Sequence, residues 1–155
     1  MATDTQTPDR AAQWLKKFEG TWEVVSDKPP SQGWTERARS LRGTWLVVEG
    51  SGMMGDDPGE TLMTLAFDPR KQKFSGSYAG SMTPHLWVYE GSLDETGEEL
   101  TLDCEGPSFE DDTQMTKYQD VYRFDGADRR TLSSRFLAKS GEWKPVMTLQ
   151  YRRTA

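Results

Sequence analysis

The chain carries a single histidine, His85, at the head of the segment His85-Leu86-Trp87-Val88-Tyr89. Strand alternation puts His85, Trp87 and Tyr89 on one face. A titratable imidazole beside two aromatics with polar tips can hydrogen-bond a ligand, serve as a general base or ligate a haem iron. It can equally be bonded within the turn that follows Pro84. Two charged residues sit in otherwise apolar alternations. Arg39 shares a face with Arg37 and Leu41, and Glu49 shares one with Trp45 and Val47. The Leu and the Trp mark these faces as inward. Buried charge needs a partner, so an Arg39–Glu49 pair or an Arg39–carboxylate contact is expected, with solvation at a wide mouth as the alternative. Met63, Met82 and Met147 offer soft apolar surface, and Tyr78, Tyr89, Tyr118 and Tyr151 offer hydroxyls to the same interior. The expected ligand-binding set is Arg39, Glu49, Met63, His85, Trp87, Tyr89 and Tyr118.

Other chemistries lack their residues. One His and one Cys cannot build a structural zinc site. Glu110-Asp111-Asp112 has no EF-hand spacing, and Ser108 is in EGPSF rather than a nucleophile elbow. There is no phosphate loop or dinucleotide fingerprint. No catalytic residue, metal or cofactor is assigned.

The elements that position these residues follow from punctuation and period. Residues 1–7 read as a disordered tail and residues 8–155 as one domain. Pro8 to Phe18 is the one convincing helix, with Ala11, Ala12, Trp14, Leu15 and Phe18 as its apolar stripe and Gly20 as its stop. The period then becomes two, with strands predicted from Trp22, over Trp34–Leu41, Thr44–Gly52, Thr61–Phe67, Phe74–Ser81, Leu86–Leu93, Leu100–Glu105, Lys117–Phe124, Thr131–Leu137 and Trp143–Arg152. Asp27-Lys28-Pro29-Pro30 breaks the first, and Met54-Gly55-Asp56-Asp57-Pro58-Gly59 is read as a loop. Short strands that each have a sequential neighbour predict a sandwich or a barrel, and closure into a barrel removes the edges.

Composition agrees. The 155 residues fit one domain, and six Trp, five Tyr and six Phe supply a core despite only 34% hydrophobic content. A net charge of −6 disfavours nucleic acid and anionic membrane as partners. Nine acids and no basic residue lie between Asp94 and Asp112, and seven basic residues against Glu142 lie between Arg129 and Arg153. Solvated strand faces that neutralise one another account for this. The lone Cys104 and the polar N-terminus MATDTQTPDR point to a cytoplasmic protein.

Gly20-Thr21-Trp22 and Gly43-Thr44-Trp45 open two strands alike, extending to GTWEVV and GTWLVV. Each Gly permits a sharp turn and each Trp a broad apolar floor. The first copy resembles the G-x-W signature of lipocalin-like (calycin-type) barrels. That resemblance implies a Trp plugging one barrel end and a basic residue of the last strand, Arg152 or Arg153, stacked over it. Longer blocks, RSLRGTWLVVEGSG (39–52), MTLAFDP (63–69), MTPHLWVYEGSLD (82–94), LTLDCEGPSF (100–109), KYQDVYRF (117–124) and MTLQYRR (147–153), resemble an uncharacterised bacterial family, domain of unknown function 1579. The resemblance implies an all-β, closed up-and-down barrel of about ten strands with one N-terminal helix, and no activity or cofactor. Nitrobindin-like barrels share the short helix and GTW start and bind haem through a histidine near the C-terminus, where this chain has none. The leading expectation is a barrel holding a small apolar or carboxylate ligand. An enzyme using His85 as general base with Tyr89 or Arg39 orienting substrate, and a solid-cored homodimeric module, are the alternatives.

Overall fold

After the helix, the expected run of strands is borne out among the described residues. In the computed structural model, which describes residues 7–25 and 33–155, the order is α1 (Pro8–Phe18), β1 (Gly20–Val24), β2 (Thr35–Leu41), β3 (Trp45–Met54), β4 (Asp57–Asp68), β5 (Lys73–Gly80), β6 (Thr83–Leu93), β7 (Glu99–Pro107), β8 (Met115–Phe124), β9 (Arg129–Leu137) and β10 (Trp143–Arg153). Every strand pairs antiparallel with its sequential neighbours, and β1 pairs with β10, so the sheet closes into a barrel. Residues 1–6, where the tail was expected, and the breaker Asp27–Pro30 lie outside the described residues. Thr7 belongs to the helix as its N-cap, accepting from the Arg10 N–H at 3.2 Å. The loop expected over Met54–Gly59 is instead a tight hairpin. Met54 pairs with Asp57 and Met53 with Pro58, the turn resting on Gly55 at φ 67°.

The two barrel ends differ. Helix α1 lies across the end where β1 begins and β10 finishes, and buries Ala11, Trp14, Leu15 and Phe18. Eleven residues are too few for a stable isolated helix, so docking holds it. Trp14 meets Phe124 at 5.1 Å and Phe74 at 6.1 Å, and its Nε1–H donates to the Glu98 carbonyl at 3.2 Å. Beneath it Trp22 is fully buried, donating Nε1–H to the Phe18 carbonyl at 2.9 Å. The guanidinium of Arg153 stacks over Trp22 at 4.3 Å and donates to the carbonyls of Lys17 and Glu19. Of the two terminal arginines, Arg153 therefore makes the stack, and Arg152 faces outward to pair with Glu23. Gly20, at φ 124°, leaves room for the Arg153 guanidinium where a Cβ would collide with it.

The GTW echo does not extend to packing. Trp45 is 39% exposed on the outer surface, because the inner face of β3 is Leu46, Val48 and Gly50. Gly50 and Gly52 form the floor on which the Trp34 ring lies, with Trp34 Cζ2 2.8 Å from where a Gly50 Cβ would stand.

At the opposite end lie the turns at 55–56 and 81–82 and the segments 108–114 and 138–142. Here the wall is split. β6 and β7 pair only from Glu90–Leu93 to Leu100–Asp103, and the remainder of each strand has no ladder partner in the other. Two inward side chains close the gap. His85 Nε2 lies 2.8 Å from the Glu105 carbonyl oxygen, and the Trp87 ring lies against Gly106, where any Cβ would strike it.

Candidate functional site

The interior divides into an apolar floor and a polar middle. Near the capped end Leu46, Leu65, Phe74, Leu100 and Leu102 are 2% exposed or less. Farther from the helix, Glu36, Tyr78, Trp87, Asp120 and Leu149 face inward yet are only partly buried. Two grooves, about 500 Å³ beside Val24, Trp34 and Arg152 and about 170 Å³ between α1 and Trp45, contain none of the inward acids.

Two carboxylates organise the polar middle. Glu36 on β2 accepts from Arg130 Nη2 at 2.5 Å, from Trp34 Nε1 at 3.1 Å and from the Tyr151 hydroxyl at 3.3 Å. Arg130 has no exposed side-chain surface, and the Glu36 side chain is 13% exposed. Arg130 Nε and Nη1 have no hydrogen-bond acceptor. The guanidinium instead lies over Tyr151 at 3.8 Å, Phe18 at 4.2 Å and Trp22 at 4.9 Å. Ring faces thus take the place of acceptors for those N–H groups.

Asp120 on β8 is the second carboxylate. It accepts from the Tyr89 hydroxyl at 2.5 Å and from Ser134. Burial raises its carboxyl above the ordinary value of 3.8, against the pull of the two hydroxyls. The surrounding phenols move the same way. Burial, reinforced by Glu36, pushes Tyr78 up to about 12. Tyr89, Tyr122 and Tyr151 rise well above the ordinary phenol value, through burial first and the nearby carboxylates second. All four hydroxyls are therefore protonated at neutral pH. Tyr89 donates to Asp120 and Tyr151 to Glu36, while Tyr122 donates to Met63 Sδ at 3.5 Å.

The raised Asp120 value has a sign that can be checked. The folded protein holds this proton more tightly than the unfolded chain, so stability falls as pH rises from 3.8 through the folded value. Asp120→Asn keeps an acceptor for Tyr89 and removes the titration. The variant is expected to match the wild type in urea unfolding at pH 3 and to exceed it at pH 7. A variant less stable than wild type at pH 7 by as much as at pH 3 would contradict the assignment.

The expected residues separate into two groups. Met63, Tyr89 and Tyr118 are buried on the inner wall, and His85 and Trp87 continue that face to the rim, their rings 4.7 Å apart and edge-on. Trp87 meets Tyr118 at 4.9 Å, and the Tyr118 hydroxyl donates to the Pro107 carbonyl at 2.5 Å. Arg39 and Glu49 are corrected. Both lie exposed on the outer surface, and the registered partner of Glu49 is Arg37. The inner face of β2 is Glu36 and Ala38, following Trp34, while Leu41, which suggested the opposite face, ends the strand 45% exposed. Tyr78 and Tyr151 face the interior as expected. Met147 pairs with inward Ser134 beside a bulge and stays 43% exposed, and Met82 is 50% exposed at the rim.

Trp34, Glu36, Asp120, Tyr122 and Arg130 were not anticipated as site residues. The signal was present in three strands. Asp120 alternates with Tyr118, Tyr122 and Phe124, Arg130 with Leu132 and Phe136, and Glu36 with Trp34 and Ala38. Among the described residues no group of three His, Cys, Asp or Glu could hold a metal ion, and no helix is long and apolar enough to cross a membrane. None of the curated proteins matches the chain. A family described as "protein of unknown function (DUF1579)" matches residues 7–153, nearly its whole length, and the chain, a ten-strand closed barrel, belongs to that family.

Proposed function

We propose that the barrel is a binding protein that takes one small, partly apolar molecule through the end opposite α1. The observation that carries this reading is the contrast between the two ends. The capped end is packed by aromatic rings, whereas Glu36, Tyr78, Trp87, Asp120 and Leu149 face inward and are only partly buried. Apolar walls with a few convergent polar groups are the usual make-up of a small-molecule site. His85 lends little to catalysis, since its Nε2 is engaged by the Glu105 carbonyl and its ring by Trp87. The lone buried thiol, Cys104, raised to about 12 by burial and nearby acids, suits a reducing compartment such as the cytoplasm.

The test uses N-phenyl-1-naphthylamine, a neutral probe that brightens on leaving water. One probe per barrel is expected, together with a retained small-molecule mass in native mass spectrometry of freshly purified protein. Leu149→Trp fills the inner wall and is expected to weaken the probe at least about tenfold, while Leu62→Trp, on the outer surface, leaves it unchanged. Probe binding that ignores the first substitution, or no binding at all, would rule out an interior site.

A further inference from the structure

The charges that face the interior are unbalanced, and the imbalance sits at one carboxylate. Glu36 is matched by Arg130 at 2.5 Å and also accepts from Trp34 and Tyr151. Asp120 has only hydroxyl partners, Tyr89 and Ser134, and no cation pairs with it among the described residues. A carboxylate offers about four acceptor positions, so two hydroxyls leave roughly half of that capacity open. The other inward cation, Arg153, is held at the capped end by the helix carbonyls. The groups that interact with Asp120 carry no positive charge. They are Tyr78 on β5, Tyr89 on β6, Cys104 on β7, Tyr122 on its own strand and Ser134 on β9. Phenol ring faces favour positive charge for the same reason that they hold Arg130.

Taking the interior as the binding site proposed above, we propose that its ligand bears a cationic head, an alkylammonium carrying an apolar tail, with Asp120 as counter-ion. An ammonium group would donate to the open acceptor positions of Asp120, supply the missing charge and lie among the tyrosine rings. A carboxylate ligand would add a third negative group to a space whose inward arginines are already engaged, Arg130 by Glu36 and Arg153 by the carbonyls of Lys17 and Glu19. Desolvated like charges are costly, so the interior excludes that head group.

The experiment compares n-octylamine, 1-octanol and octanoate as displacers of N-phenyl-1-naphthylamine at pH 7.5. The three share one tail and differ only in head charge. Octylamine, protonated at this pH, is expected to displace at a concentration about tenfold below 1-octanol, with octanoate weakest. In Asp120→Asn the octylamine-to-octanol ratio, taken within that variant, is expected to fall close to one. Asp120→Leu, which replaces the acid with an apolar group of similar size, serves for the same ratio if the Asn variant does not fold. Equal displacement by all three, or octanoate in the lead, with the probe still binding, overturns the ammonium head and leaves the binding barrel standing. A preference that persists in either variant overturns Asp120 as its counter-ion. Failure of the probe and of all three molecules to bind wild-type protein removes both readings together.

Discussion

Arg130→Ala is expected to destabilise the barrel by about 3–5 kcal/mol in urea unfolding, the size found when one partner of a buried ion pair is removed. Three losses coincide at this residue. Glu36 keeps its two neutral donors but loses its only cation, the cation–π contacts with Phe18, Trp22 and Tyr151 disappear, and a fully buried side chain leaves a cavity. In a domain of this length that corresponds to a fall in melting temperature of roughly 10 °C. Arg152→Ala supplies the contrast. Its pair with Glu23 has both side chains substantially exposed, so its loss is expected to cost less than about 1 kcal/mol. Combining Glu36→Gln with Arg130→Met tests the cause, because it removes both charges and refills most of the volume. The double variant is expected to recover more than half of the Arg130→Ala loss. Equal costs for Arg130→Ala and Arg152→Ala would mean that the buried pair is not what ties helix, floor and site together.

That pair also shows where sequence reasoning reached its limit. Strands with one polar and one apolar set, such as Leu100, Leu102 and Cys104 on β7, declare their inner face by simple alternation, and so the barrel was legible. β3 begins Trp45-Leu46-Val47-Val48, apolar on both faces, so alternation alone does not orient it. What decides is the Trp34 ring lying on Gly50 and Gly52, a contact between distant residues. The wrong orientation of β2 and β3 carried Arg39 and Glu49 inward and left Glu36 outside. The histidine face was read correctly because His85, Trp87 and Tyr89 alternate with Leu86 and Val88, both of which prove exposed on the outer wall. Asp120 and Arg130 were passed over for a different reason. A charge within an apolar alternation is legible as inward, but its role depends on partners contributed by β2, β6 and β10, which no local pattern reveals.

The second large effect separates the two Gly-Thr-Trp strand starts. Trp22→Ala is expected to cost about 3–5 kcal/mol, whereas Trp45→Ala is expected to cost about 1 kcal/mol or less. The residues have the same local sequence and opposite surroundings. Trp22 is fully buried, bonded to the Phe18 carbonyl and covered by Arg153 and Arg130, so truncation opens the floor of the barrel and strips two guanidinium groups of a ring face. Trp45 is 39% exposed beside α1, and its loss removes outer contacts that water can replace. Trp22→Phe separates floor area from the indole hydrogen bond. It keeps an aromatic face for both arginines and gives up the bond to Phe18 and part of the buried ring area, so about half of the alanine loss is expected to return. Chemical denaturation of the three variants measures these differences directly. If Trp45→Ala proved as costly as Trp22→Ala, β3 would have to face the other way. Glu49 and Arg39 would then return to the interior, and the charge argument built on Asp120 would fail with them.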